Sequence, residues 1–457
     1  MKKYLRNLFG GLLGLYIPVS WALEPINLDQ AVEMALQFDP RIKEQQQLVG
    51  VARGMLDEAE AAYSWRAEVN SFVGVTTGVD GGFYEDGAER CPAGSDCVPR
   101  SDLYDVTSLS PWVNAEISLI RPLYTFGKVE NYADAARGNI AVKEAEVELT
   151  QARTRLDVSR AYFGFLAARD SRKLMEDAIG RLEQALSLVE EWLEEGEGKA
   201  TLSDMFALKS GLALLNRYQA QAQALENVAL DALKLLTGIG LEGEIEVADS
   251  QIRPLPPPED ELRALQQQAL EQRPEMKQVE AGLKARRALV EAKKAESLPN
   301  VYAGFGAGMA YSPGRDRLDS PHIFDPFNYV AATPVIGLQW SWAGQTQAAR
   351  VTQAQAELDA LVEKASLARL GIPLQVSEEF RQVHAYSKAV EEMTDASINA
   401  RRWMIAAYAD FEAGIKEADK VLTAFQAYVL AHGDYIRTVN DYNIHVVRLS
   451  LAIGVLK

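Results

Sequence analysis

Hydrophobic positions in this chain switch from a period of 3.6 to a period of 2 and back, and they do so twice. From Leu28 to Arg66 the spacing is helical and rich in Ala, Glu, Gln and Leu, with Pro40 restricting its neighbour and dividing a short helix from a longer one. In Val69-Asn70-Ser71-Phe72-Val73-Gly74-Val75-Thr76-Thr77-Gly78-Val79 the odd positions are mostly apolar and the even ones mostly polar or glycine. Val113-Asn114-Ala115-Glu116-Ile117-Ser118-Leu119 alternates more cleanly still. The second half repeats the order with Val301–Met309 and Ile336–Trp342. The expectation is four strands, at about 69–79, 111–121, 300–311 and 331–342, with turn-rich loops at 80–110 and 312–328 between the members of each pair.

After each strand pair the helical period returns for an unusual length. Gly127 to Trp192 holds no proline and would extend about 100 Å at 1.5 Å per residue. Ser203–Leu215 and Asn216–Leu236 should return antiparallel. Gln345–Phe411 and Asp419–Leu451 repeat the pair, with a kink expected at Pro373. Small residues recur along both long helices (Ala133, Ala136, Ala145; Ala348, Ala354, Ala360), as close lateral packing requires. Helices this long cannot bury their apolar stripes in a compact globule, so they need neighbours.

The halves also share punctuation. Asp39-Pro40 answers to Arg273-Pro274, Gly198 to Gly414, and Leu236-Thr237-Gly238 to Ile453-Gly454. The interval is far longer than the roughly 20–50 residues of a solenoid unit, so the chain reads as a duplicated half-molecule. The first repeat occupies 23–252 with its long helices ending at 238; 253–258 (Arg-Pro-Leu-Pro-Pro-Pro) is a stiff connector; 259–457 is the second repeat.

Four alternating strands change the picture when set against a membrane. Strands of about 10 residues, apolar on one face and small or polar on the other, fit a transmembrane β-barrel. Trp112, Tyr311, Trp340 and Trp342 near strand ends would form an interfacial belt. Val73, Ile117, Phe305 and Leu338 are the expected lipid-facing positions. Four strands cannot close a barrel, and an open sheet edge is not tolerated in lipid, so several copies would have to share one. The competing assignment is an ordinary β-sandwich edge.

Charge and leader sort the compartments. The formal net charge is −17, which argues against nucleic acid as a partner because counterion release needs clustered Lys and Arg. Met1-Lys2-Lys3, the apolar run Leu8–Val19 and Ser20-Trp21-Ala22 have the form of a secretory signal peptide over 1–22. The two cysteines, Cys91 and Cys97, lie in one loop of an exported chain and are expected to form a local disulfide; half a metal site is the rival reading.

No catalytic constellation appears, and the expectation is a non-enzyme without cofactor or metal. Gly304-Phe305-Gly306-Ala307-Gly308 sits in a strand with no helix after it, unlike a dinucleotide loop. Gly198-Lys199 is followed by Ala200 rather than Ser or Thr and preceded by several glutamates, which excludes a phosphate loop.

Together with the duplicated order and the two proline junctions, two stretches carry a family resemblance. These are Arg121-Pro122-Leu123-Tyr124-Thr125-Phe126-Gly127-Lys128, leading from strand to helix, and Gly198-Lys199-Ala200-Thr201-Leu202-Ser203-Asp204. The chain resembles TolC-type outer-membrane efflux proteins. That resemblance implies a mainly α chain whose homotrimer shares one β-barrel in the bacterial outer membrane, above a long periplasmic α-helical tube. It implies a passive exit duct of a tripartite efflux or type I secretion system, served by a periplasmic adaptor and an inner-membrane transporter. It places the pore constriction at the helix turns, on Asp204, Glu417, Asp419 and Lys420, and adaptor docking at Gly198, Thr201 and Gly414. The second turn departs from the first: Lys420 stands where the first has Asp204, so the turn carries mixed charge and Lys420 is expected to pair with a neighbouring carboxylate. The alternative is a periplasmic coiled-coil or adhesin with no pore. Cargo is not legible.

Overall fold

The computed structural model describes residues 25–79, 84–85, 91–101, 108–196, 200–257, 260–318, 322, 324–415 and 418–455. The signal segment 1–22, Gly198 and Glu417 lie outside the described residues, as does part of the loop at 80–110.

The elements run α1 (Leu28–Phe38), α2 (Pro40–Glu60), a 3-10 turn (Ala61–Tyr63), β1 (Arg66–Thr77), β2 (Leu109–Tyr124), α3 (Lys128–Glu195) and α4 (Leu202–Thr237). The second half follows with α5 (Leu262–Gln272), α6 (Pro274–Ala295), β3 (Asn300–Tyr311), β4 (Tyr329–Gln339), α7 (Gly344–Glu412) and α8 (Ala418–Ala452). Two expectations need correction. The second helix ends at Glu60, not Arg66, and β1 begins at Arg66 because its alternation already starts there. Residues 203–236 form one uninterrupted helix, having no proline inside it. α7 runs through Pro373 without ending, and Gln266 Nε2 donates to the Pro373 carbonyl at 3.1 Å.

Contacts divide the chain into two compact units. The first, residues 1–40, 151–265 and 375–457, is helical within the described residues. Its core gathers Tyr162, Leu166, Leu182, Leu233, Phe425 and Val439, each at most 2% exposed. Several polar groups inside it are paired. Thr154 Oγ1 donates to the buried Asp39 carboxylate, Tyr162 Oη donates to Asp249 Oδ2 at 2.6 Å, and Asn443 bridges Leu255 N and the Arg253 carbonyl. Burial and that Asp249 bond push the Tyr162 hydroxyl well above its ordinary range. Gly238, at φ 79°, ends α4 in the left-handed conformation, with the Phe38 ring where a Cβ would stand.

The second unit, residues 41–150 and 266–374, holds the sheet and the helix segments joined to it. Its helical core packs Val279, Leu283 and Val290 of α6 against Ala354, Leu358 and Ala365 of α7. The expected small-residue packing is visible where Gly138 meets Ala285: a Cβ on Gly138 would come within 2.7 Å of the alanine Cβ.

Candidate functional site

The sheet is antiparallel in the order β1-β2-β3-β4, and its register sorts side chains by face. Val73 shares a face with Val113, Val69 with Ile117, Leu119 with Phe305, and Val301 with Leu338. Following the pairs across, one face carries Ala67, Val69, Val73, Val75, Ile117, Leu119, Phe305, Met309, Val330, Ile336 and Leu338; Ser71, Thr77 and Arg121 are its polar intruders. The other carries Arg66, Glu68, Asn70, Asn114, Glu116, Ser118, Gly304, Gly306, Gly308, Thr333 and Gln339, with Phe72, Trp112, Ile120 and Val335 as its apolar members. Thus Val73, Ile117, Phe305 and Leu338 stand together on the apolar face. That face is unusually bare: Val73 is 76% exposed and Ile336 80%. On the polar face the glycines make room for aromatic rings. Tyr302 lies over Gly337 and Tyr329 over Gly308, with Tyr329 Oη donating to Glu116 Oε1 at 3.0 Å.

The aromatic belt needs correction. Tyr311 shares the apolar face at the loop end of β3, but Trp112 pairs with Gly74 on the polar face. There its ring packs against Phe72 at 4.7 Å and Phe327 at 5.1 Å. Its even number, the parity of Asn114, carried that signal. β4 ends at Gln339, since β3 offers no partner before Asn300, so Trp340 and Trp342 follow the strand rather than end it.

At the strand–helix junction two consecutive residues adopt positive φ, Phe126 at 52° and Gly127 at 83°. The buried Thr125 receives support from both sides. Tyr63 Oη lies 2.9 Å from Thr125 Oγ1 and donates to Glu130 Oε1 at 2.7 Å. That bond holds the Glu130 carboxyl below its ordinary range. Lys128 Nζ reaches Asn300 Oδ1 at 2.8 Å. The family-like run from Arg121 to Lys128 passes from strand to helix through a tight turn held by hydrogen bonds.

The helix turns belong to the first unit. Thr201 is the N-cap of α4. Its hydroxyl accepts from Asp204 N at 3.3 Å, while Asp204 Oδ2 accepts from Thr201 N at 2.9 Å and Thr201 Oγ1 at 2.7 Å. Asp204 therefore closes a capping box, a role its Thr-x-x-Asp spacing announced and the sequence reading missed. Lys209 Nζ meets Glu190 Oε1 at 2.9 Å, linking α4 to α3. At the second turn Gly414 sits at φ 73°, and Lys420 Nζ lies 3.1 Å from Asp419 Oδ2. Both of those side chains are more than half exposed. Lys420 does pair with a carboxylate, but that of its own chain neighbour. Beneath the turns Trp192 packs on Phe411 at 5.2 Å. In the loop beyond β1, Cys91 and Cys97 are disulfide-bonded with their Cα atoms 5.7 Å apart.

Residues 265–455 match the family model described as outer membrane efflux protein. No curated protein matches the chain in sequence. Among solved structures it is similar to CusC, described in terms of folding and transmembrane channel formation, with 16% identity over 99% of both chains and a TM-score of 0.74. A membrane protein from Pseudomonas aeruginosa is 17% identical over 93% of both chains, TM-score 0.73. The outer membrane protein VceC from Vibrio cholerae is 17% identical over 93% of this chain and 96% of its own, TM-score 0.70. The resemblance to TolC-type outer-membrane efflux proteins therefore stands, by family match in the second half and by fold over nearly the whole chain. No helix among the described residues is long and apolar enough to cross a membrane.

Proposed function

We propose, from a second half that matches the outer membrane efflux family and a fold shared with outer-membrane channels, that this chain is one third of a passive exit duct. Three copies join β4 of one to β1 of the next, closing about 12 strands, an even number as such barrels favour. The apolar face meets outer-membrane lipid and the polar face lines the lumen. The helix turns lie in the periplasm, where an adaptor docks at Thr201 and Gly414 and an inner-membrane transporter supplies the energy. Asp204, Asp419 and Lys420 narrow the path there.

The observation that carries this reading is the two-faced register across four strands, shifted at a bulge between Pro122 and Tyr124, whose outer edges have no partner strand among the described residues. An exposed apolar sheet with open edges is an aggregation hazard in water, and closure in lipid removes both faults. The helices attached to the edge strands show the same need. Val51 and Met55 of α2, and Leu367, Leu370 and Leu374 of α7, lie exposed at helical spacing, the stripe a neighbouring copy would cover.

Planar-bilayer recording of the purified, full-length protein tests the duct. The expected result is stepwise ion conductance with cations preferred. A trimer that inserts and conducts nothing, even after the turn charges are removed, would overturn it.

A further inference from the structure

At the helix-side end of the sheet a cleft of about 720 Å³ is lined by Lys128, Lys294, Glu296, Trp342 and Arg350 among others. In a chain of net charge −17, three cations facing one cleft with a single carboxylate is a departure. That carboxylate is engaged elsewhere: Tyr132 Oη and Lys293 Nζ both donate to Glu296 Oε1, the lysine at 2.8 Å. Burial alone would raise the Glu296 carboxyl, but these bonds hold it below its ordinary range, so it stays an anion matched to Lys293. Lys294 meets an exposed partner, Glu291, at 2.8 Å. Arg350 stands 4.0 Å from Glu296 with its side chain 58% exposed. Both cations keep donors to spare.

The apolar neighbours give the cleft its second property. Trp340 Nε1 donates to the Ser297 carbonyl at 3.0 Å, pinning that ring at the base of the sheet. Trp342, 82% exposed, lines the cleft itself. Leu338, on the apolar face, lies just before them in the chain. A site with an indole wall, two underused cations and an apolar surface leading to it matches an amphiphile with an anionic head.

We propose that this cleft holds the headgroup phosphate of an anionic phospholipid in the periplasmic leaflet, with Lys294 and Arg350 on the phosphate and Trp342 against the glycerol and upper acyl chain. The proposal rests on the reading that the apolar face lies in the bilayer. Such a lipid would fix the depth of the sheet at the edge where strands give way to helices.

The test uses the full-length protein reconstituted in nanodiscs of mixed phosphatidylglycerol and phosphatidylcholine, with native mass spectrometry counting the lipids retained per particle. The wild type should keep phosphatidylglycerol preferentially. Each cation near an anionic surface contributes about 1 kcal/mol, so Lys294→Gln and Arg350→Gln should each lower retention about fivefold, and the pair by more than tenfold. Lys388→Gln, an exposed charge on α7 distant in sequence, should leave retention unchanged. Equal retention of both lipids by an inserted wild-type particle, or a double variant that retains phosphatidylglycerol like wild type, overturns the site alone. Displacement of the lipid by inorganic phosphate at matched concentration would show an ion site instead. A protein that never inserts defeats the membrane reading itself, and this inference with it.

Discussion

The helical unit and the sheet treat apolar side chains in opposite ways. In the helical unit Tyr162, Leu182 and Leu233 are withdrawn from solvent and each buried polar group named above has a partner. In the sheet Val69, Val73 and Ile336 are 66–80% exposed, and the two outer strand edges have no partner strand among the described residues. The first arrangement gains its stability by removing apolar surface from water. The second cannot, and makes sense only where the surrounding medium is itself apolar and other copies complete the ladder. On the proposed function, the difference reflects two solvents for one chain, with the period of its hydrophobic positions marking which is which.

The largest effects should come from crossing that difference. Leu182→Ala or Leu233→Ala, in a packed interior, should destabilise the helical unit by about 2–5 kcal/mol, read as a lowered Tm in water-facing unfolding. The same truncation at Ile336 should change little in water, because no protein core surrounds it. Conversely, Arg or Lys at Val73, Ile117, Phe305 or Leu338 should cost about 2–4 kcal/mol near the bilayer midplane and reduce the yield of membrane-inserted assembly. Ser118→Arg or Gly306→Arg, one residue away on the opposite face, should spare insertion. Equal losses on both faces would erase the distinction.

A buried polar group sharpens the comparison from the helical side. His432 is stacked between Tyr428 and Tyr435, with Nδ1 2.6 Å from Ser397 Oγ. Burial lowers its pKa, partly offset by Asp170. The unfolded chain therefore takes up the proton first as pH falls below about 6.5, and stability present above that value is lost on the way down to the folded pKa. Asp170, raised by burial, takes up its proton earlier in the folded state and opposes the loss. Melting at pH 7.5 and 5.5 should show a smaller drop in His432→Gln and a larger one in Asp170→Asn. Parallel curves for all three proteins would remove the histidine from the account.

The smallest energies lie at the turns, where the readout is ionic rather than structural. The exposed Lys420–Asp419 pair is worth about 0.2–1 kcal/mol at most. Lys420→Glu should nonetheless raise single-channel conductance if threefold repetition turns the change into a ring of like charge. At the first turn Asp204→Asn is the informative change, because Asn keeps the acceptor for Thr201 N that Ala would remove from the capping box. It should weaken cation preference in the same recordings while leaving Tm close to wild type. Unchanged selectivity would leave Asp204 with a capping role only.

How legible all this was follows from parity and punctuation. Alternation placed the four strands within a few residues and put Val73, Ile117, Phe305 and Leu338 on one face. Ala61–Trp65 misled because a run ending in Ala-Ala-Tyr reads as helix, whereas the alternation that marks β1 begins only at Arg66. Trp112 was misplaced by its residue type when its parity pointed inward. Contacts across long separations, such as Thr154 to Asp39 or Tyr162 to Asp249, leave no local pattern to read. The cleft at Lys294 and Arg350 was missed for the same reason, since its lining comes from α3, α6 and α7 together.

The central claim is that the four-stranded sheet is one segment of a barrel shared between copies. The mass of the protein extracted in detergent from the outer-membrane fraction tests it most directly. The account predicts a heat-modifiable particle of three chains that falls to one on boiling; a soluble single chain recovered from the periplasm would contradict it.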